Sequence, residues 1–62
     1  MTFDSWKTAV LRELASDTTT AIRYWNEVER VMGRNFWREE WEDDYSPAEA
    51  AKCGVLSTAA MA

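Results

Sequence analysis

Two stretches of the chain repeat apolar residues at the spacing of an α-helix. In the first stretch, the apolar residues on one side are Phe3, Trp6, Val10 and Leu14. This pattern predicts a helix over about 4–15, for which Thr2 or Asp4 can serve as the N-cap. In the second, the apolar stripe is Ala21, Trp25, Val28 and Met32. Charged and amide side chains occupy its opposite face, which predicts an amphipathic helix over about 18–32. This helix follows a turn and cap at Ser16-Asp17-Thr18 and stops at Gly33.

The segment after Gly33 cannot extend the second helix. At about 100° per residue, Trp37 and Trp41 would fall on the face that carries the arginines of that helix. A break after Gly33 allows a short third helix over about 36–43, with Asn35 as its N-cap. Arg38 stands four residues before Glu42 in this helix, so we expect the two to form a weak pair.

The beginning of a fourth helix is the strongest local signal in the chain. Ser46-Pro47-Ala48-Glu49 combines an N-cap serine, a proline at the first helical position and a glutamate two positions later, which is a capping box. Gly54 costs about 1 kcal/mol relative to alanine inside a helix. We therefore expect this helix to be short or frayed beyond Leu56, and 57–62 is the candidate for a disordered tail. The whole pattern predicts a single all-α domain over 1–62, a compact bundle of three to four short helices.

Composition limits what can hold such a bundle together. The chain has 62 residues, eight aromatic side chains, one cysteine and no histidine. A single cysteine excludes an internal disulfide, and the absence of histidine excludes a zinc site of ordinary ligands. We predict that Trp6 and Trp25 are core residues and that Trp37 and Trp41 lie at the boundary between core and interface. A core this small is not expected to hide every ring.

Charge is unevenly distributed. Residues 1–34 carry five acids and five bases, whereas residues 35–62 carry six acids and two bases, which accounts for the net charge of −4. The excess lies in 39–44. Direct binding to nucleic acid is therefore not expected, because phosphate contacts need clustered lysine and arginine. The first residues do not resemble a secretory signal and no apolar run is long enough to span a membrane, so we expect a cytoplasmic protein.

No pattern in the chain predicts catalysis or a cofactor. The acids at 39–44 are consecutive and are expected to be solvated, whereas paired catalytic carboxylates need burial and separated pKa values. The same acids have neither the alternating spacing nor the central glycine of an EF-hand loop. Cys53 has no histidine to activate it. The sequence therefore predicts a protein that is not an enzyme and that holds no cofactor or metal.

The turn and cap Asp44-Tyr45-Ser46-Pro47-Ala48-Glu49-Ala50-Ala51, together with the small size and the acidity, resembles small orphan proteins of phages and mobile elements. Anti-CRISPR proteins are one such group. The resemblance implies an inhibitor of a host machine, acting at a site that otherwise holds nucleic acid.

The residues themselves predict a protein-binding module that uses an acidic and aromatic surface on a basic, nucleic-acid-binding protein. The candidate partner-binding residues are Trp37, Glu39, Glu40, Trp41, Glu42, Asp43, Asp44 and Tyr45. Aromatic side chains are frequent at binding hot spots, and acids steer a basic partner. Two alternatives stay open. The rings are core and the acids only a solvated face, or the chain is a self-associating structural or assembly subunit, a homodimer that buries its surplus rings.

Overall fold

Four helices account for most of the backbone in the computed structural model, which describes residues 1–61, with side chains to residue 60. They are α1 (Phe3–Leu14), α2 (Thr18–Met32), α3 (Phe36–Glu42) and α4 (Pro47–Met61), with no strand among residues 1–61. Helices α1, α2 and α4 pack against one another, and the short α3 contacts all three. The predicted all-α bundle is confirmed. None of the described helices is both long enough and apolar enough to cross a bilayer.

The ends of α1 and α2 follow from local side-chain chemistry. The Thr2 hydroxyl accepts a hydrogen bond from the Ser5 N–H at 3.2 Å. A carboxylate oxygen of Asp17 accepts from both the N–H and the hydroxyl of Thr20, each at 2.8 Å, and these bonds lower the pKa of Asp17. Gly33 ends α2 with φ at 110°, a conformation that favours glycine. The predicted bounds of α2 are those observed, and α1 is shifted toward the N-terminus by one residue.

Helix α3 begins at Phe36, as predicted, but it is capped differently from the prediction. Asn35 occupies the N-cap position, but its side chain makes no capping hydrogen bond to the described backbone. A backbone bond from the Phe36 N–H to the Gly33 carbonyl, at 3.2 Å, closes the connection from α2 instead. The start of α3 is therefore fixed by the turn and by the packing of Trp37.

Helix α4 is longer than the sequence predicts. The serine cap is as expected, because the Ser46 hydroxyl accepts from the Glu49 N–H at 3.2 Å. The Glu49 carboxylate accepts from the Ser46 hydroxyl at 3.0 Å, whereas in a capping box it would accept from the backbone N–H of the serine. The helix then continues to Met61 rather than ending or fraying beyond Leu56. The reason lies at Gly54, which is buried against Trp37, so that a tertiary contact offsets the low helix propensity of glycine. Position 62 of the predicted tail lies outside the described residues.

Three tryptophans form the centre of the core. The rings of Trp25 and Trp37 stack at 4.5 Å with an interplanar angle of 12°, and Trp6 meets both edge-on at 6.5 and 6.4 Å. Trp6 and Trp25 are core residues, as predicted. Trp37 is only 1% exposed, so its placement at a boundary was wrong. Its indole N–H donates to the Trp25 carbonyl at 3.1 Å, which satisfies the one polar atom of a side chain that buries about 150–250 Å².

Gly54 allows α4 to approach this ring closely. A Cβ atom at Gly54 would lie 2.6 Å from Cη2 of Trp37, far inside van der Waals contact at about 3.5–4.0 Å. Trp37 therefore fixes the position of α3 against both α2 and α4.

Candidate protein-binding surface

Helix α3 and the turn after it present most of their acids to solvent. Glu39, Glu42, Asp43 and Asp44 are exposed, and Glu40 is half-buried. Most of these acids surround one open depression whose lining is Phe36, Glu39, Glu40, Glu42, Asp43 and Tyr45. We use the name acidic patch for the group formed by Glu39, Glu40, Glu42, Asp43, Asp44 and Tyr45.

The turn after α3 holds one end of the acidic patch. Asp44 lies in the left-handed region with φ at 63°. Its N–H donates to the Trp41 carbonyl at 3.1 Å, and the Tyr45 N–H donates to the Glu40 carbonyl at 3.2 Å. These two bonds form a Schellman motif, which ends the helix and reverses the chain.

The core fixes this turn through a tryptophan. The indole N–H of Trp6 donates to the Tyr45 carbonyl at 2.9 Å. Trp6 is itself buried among the core rings, so the backbone beside the acidic patch is held by the best-packed part of the molecule. The Tyr45 side chain remains 40% exposed and is available to a partner.

Trp41 lies between the core and the surface, as the sequence predicted. It is half-buried, meets Phe3 edge-on at 5.5 Å with an interplanar angle of 77°, and donates its indole N–H to the Met1 carbonyl at 3.1 Å. The Arg38 guanidinium lies 4.9 Å from the centre of the Phe3 ring and 5.9 Å from that of Trp41, a cation–π arrangement.

Arg38 does not form the pair with Glu42 that its spacing predicts. The one ion pair among the described residues joins Arg30 to Glu27 on α2. The cation–π contacts with two rings give the guanidinium a position that a solvated i, i+4 pair, at a few tenths of a kcal/mol, does not outweigh. The acidic patch therefore has no cation bound to it within residues 1–61.

Burial and the neighbouring acids both raise the pKa of Glu40. Partial burial is the main cause that raises the pKa of this carboxyl, and the negative charges of Asp43 and Glu39 raise it further. Acids near the end of α3 also oppose the helix dipole. The ionised form of Glu40 therefore carries a free-energy cost in the folded protein, most of it due to burial.

The structure brings together most, but not all, of the predicted site. Trp37 is buried in the core, so it supports the surface and cannot touch a partner. The other seven predicted residues lie on α3 and the turn that follows. Sequence reasoning missed Phe36, which lines the depression; its spacing of three and four residues from Glu39 and Glu40 on a helix would have placed it there.

The described side chains were also compared with the requirements of a metal site. No group of three or more cysteine, aspartate or glutamate side chains among the described residues is arranged to hold a metal ion. Comparison with protein-family models, with curated proteins and with solved structures gives no match for this chain. The acidic patch is therefore the candidate functional surface of the described residues. The resemblance to small phage proteins stays a prediction.

Proposed function

We propose that this chain is a non-enzymatic binding module that docks its acidic patch on a basic, nucleic-acid-binding surface of another protein. The observation that carries the proposal is five carboxylates along α3 and the turn after it, with no cation paired to them in the described residues. In this view the chain is an inhibitor or adaptor of the phage or mobile-element kind, anti-CRISPR-like in its mode of action, and it works in the host cytoplasm.

Electrostatic attraction would raise the association rate of such a complex and contribute to its specificity. A cluster of acids raises the rate of association with a basic partner, and like charges reject acidic ones. Lysine and arginine side chains that bind phosphate groups also donate hydrogen bonds to carboxylates in a similar geometry. A partner that uses its basic groove for nucleic acid would therefore lose access to that groove when this chain is bound.

Aromatic side chains supply the apolar part of the contact. Tyr45 is 40% exposed, and Phe36 and Trp41 each keep part of their surface at the solvent boundary. Tyrosine and tryptophan are enriched at hot spots, where they exclude water from neighbouring charges. Tyr45 is the residue of the acidic patch that we expect to contribute most apolar contact.

Preorganisation favours tight binding. The Trp6–Tyr45 hydrogen bond, the Schellman motif at Asp44 and the buried Trp37 fix the backbone under the acidic patch. Ordering a loop on binding costs free energy for each immobilised residue, and a surface that is already ordered avoids much of that cost.

The test is a tagged pull-down from a bacterial lysate with mass spectrometry, run with a patch variant and a matched control. The patch variant is Glu39→Gln with Glu42→Gln, both exposed. The control is Asp4→Asn with Glu29→Gln, which removes the same charge outside the acidic patch. Circular dichroism must show equal helix content for all three proteins.

The expected result is a basic, nucleic-acid-binding protein that wild type and control retain and the patch variant loses. Added nucleic acid should displace this chain from that protein, since both occupy the same groove, and raised salt should weaken the complex. If wild type and the patch variant capture the same proteins, the acidic patch is not part of the interface and the proposal is refuted.

A further inference from the structure

The outer side of α4 is unusually apolar for an exposed helix face. Glu49 and Lys52 are the only charged residues within Pro47–Met61. Val55 is 45% exposed and Leu56 is 60% exposed. A helix that is apolar on nearly all sides is normally buried on all sides. The outer face of α4 is therefore more exposed to solvent than its composition predicts.

This face forms one wall of a groove. The end of α1 supplies the other wall through Glu13 and Leu14, and the apolar lining from α4 is Ala48, Ala51, Val55 and Leu56. We call this the α1–α4 groove. Small proteins seldom leave clustered aliphatic side chains in water unless the cluster binds something.

Two oppositely charged side chains lie at the α1–α4 groove, one on each wall. Glu13 lies on the α1 wall and Lys52 on the α4 wall, and neither forms an ion pair with any described residue. A two-fold axis that runs along the groove sets the α1 wall of each copy against the α4 wall of the other, so that Glu13 of one copy can meet Lys52 of the other. One acid and one base on opposite walls make the surface complementary to itself, which is the requirement for a symmetric dimer.

We propose that the α1–α4 groove binds a second copy of this chain, with the outer face of α4 from each copy packed into the groove of the other. The dimer buries Val55 and Leu56 at its centre and forms the Glu13–Lys52 pair twice at its edges. An interface of ordinary size covers about 800 Å² per partner, against a total surface of 4362 Å² for the monomer. This contact involves none of the acidic patch, so it is independent of the proposed function.

The first experiment measures mass in solution. Sedimentation equilibrium from micromolar to millimolar concentration should show a transition from 7.2 kDa to twice that mass. Leu56→Ser should weaken the dimer at least about tenfold, and because Leu56 is 60% exposed in the monomer the fold should be unchanged by circular dichroism. Ile22→Ser is the matched control, since Ile22 is 43% exposed on α2 outside the groove, and it should leave the dimer constant unchanged.

The second experiment tests the register by charge exchange. Glu13→Lys and Lys52→Glu each place like charges opposite one another twice in the dimer, and each should weaken association by about tenfold or more. The protein with both substitutions restores opposite charges and should recover the wild-type constant. Arg12→Glu, a charge reversal on α1 outside the groove, should have no such effect.

Three results would overturn the proposal. The first is a monomer throughout the concentration range, which would leave the groove to a different protein. The second is a dimer that Ile22→Ser weakens and Leu56→Ser does not, which would move the contact to α2. The third is two weakened single charge variants with no recovery in the combined protein, which would exclude the two-fold register.

Discussion

Replacement of Gly54 by alanine tests how the core is organised, because helix propensity and packing predict opposite results. Glycine lies inside α4, where alanine is intrinsically the better helix former. Yet the added Cβ would lie 2.6 Å from Cη2 of Trp37, 3.2 Å from Cζ2 and 3.4 Å from Cζ3. The ring cannot move aside easily, since it is stacked on Trp25 at 4.5 Å and its N–H is bonded to the Trp25 carbonyl.

The two effects can be weighed. Alanine in place of glycine stabilises an exposed helix by about 0.8–1 kcal/mol. Overpacking a well-packed core costs about 1–3 kcal/mol, and the contact at Cη2 places Gly54→Ala near the middle of that range. The net effect is a loss of about 1 kcal/mol, which in a domain of this size lowers the Tm by about 4–8 °C.

Thermal and urea unfolding of Gly54→Ala, followed by circular dichroism and tryptophan fluorescence, measure this loss. The matched test is the same substitution in a Trp37→Phe background, where the six-membered part of the indole that meets the Cβ is gone. There the alanine should be neutral or stabilising, although Trp37→Phe itself lowers stability. A Tm of Gly54→Ala above that of wild type would refute the packing argument, because propensity alone would then account for position 54.

Two further predictions concern the acidic patch. Asp44→Gly should raise the free energy of unfolding by about 1 kcal/mol, since a left-handed backbone costs a residue with a side chain about 1–2 kcal/mol. Asp44→Asn should raise it only by the part due to the negative charge at the end of α3. Equal urea midpoints for wild type and the two variants would contradict this prediction. Glu40→Gln should have a higher Tm than wild type at neutral pH. The raised pKa of Glu40 means that its ionisation destabilises the folded state, so the penalty is complete above the raised pKa and disappears as the pH falls to the ordinary value of 4.5. The advantage of Glu40→Gln should vanish over the same interval, and a difference independent of pH would count against the argument.

The features that the sequence predicts well are those encoded over one or two turns of helix. Helix α2 begins at Thr18 and ends at Met32 as expected, because an aspartate cap, a broad apolar stripe and a terminal glycine all act locally. The Ser46 cap of α4 is equally local. The grouping of the acids at 39–44 on one surface is predictable for the same reason, since consecutive residues of a short helix and its turn stay close together.

The features that the sequence does not predict depend on contacts between distant segments. Gly54 alone suggests a weak point in α4, and only its position against Trp37 explains why the helix continues. The burial of Trp37 is likewise set by Trp25 and Gly54 together. Arg38 stacks on Phe3 rather than pairing with Glu42, and no local rule brings α1 next to α3.

Helix α3 therefore has two roles that depend on each other. Its seven residues, Phe36–Glu42, are far fewer than the roughly 12–15 that an isolated helix needs to be marginally stable in water. Acids near its end and the left-handed Asp44 make it less stable still. The inward side of α3 stabilises the helix. Trp37 enters the core there, and the indole N–H of Trp6 donates a hydrogen bond to the turn that follows. The acidic patch can keep an unfavourable concentration of charge in a fixed arrangement because the tryptophans on the other side of the same helix supply the stability that the acids remove.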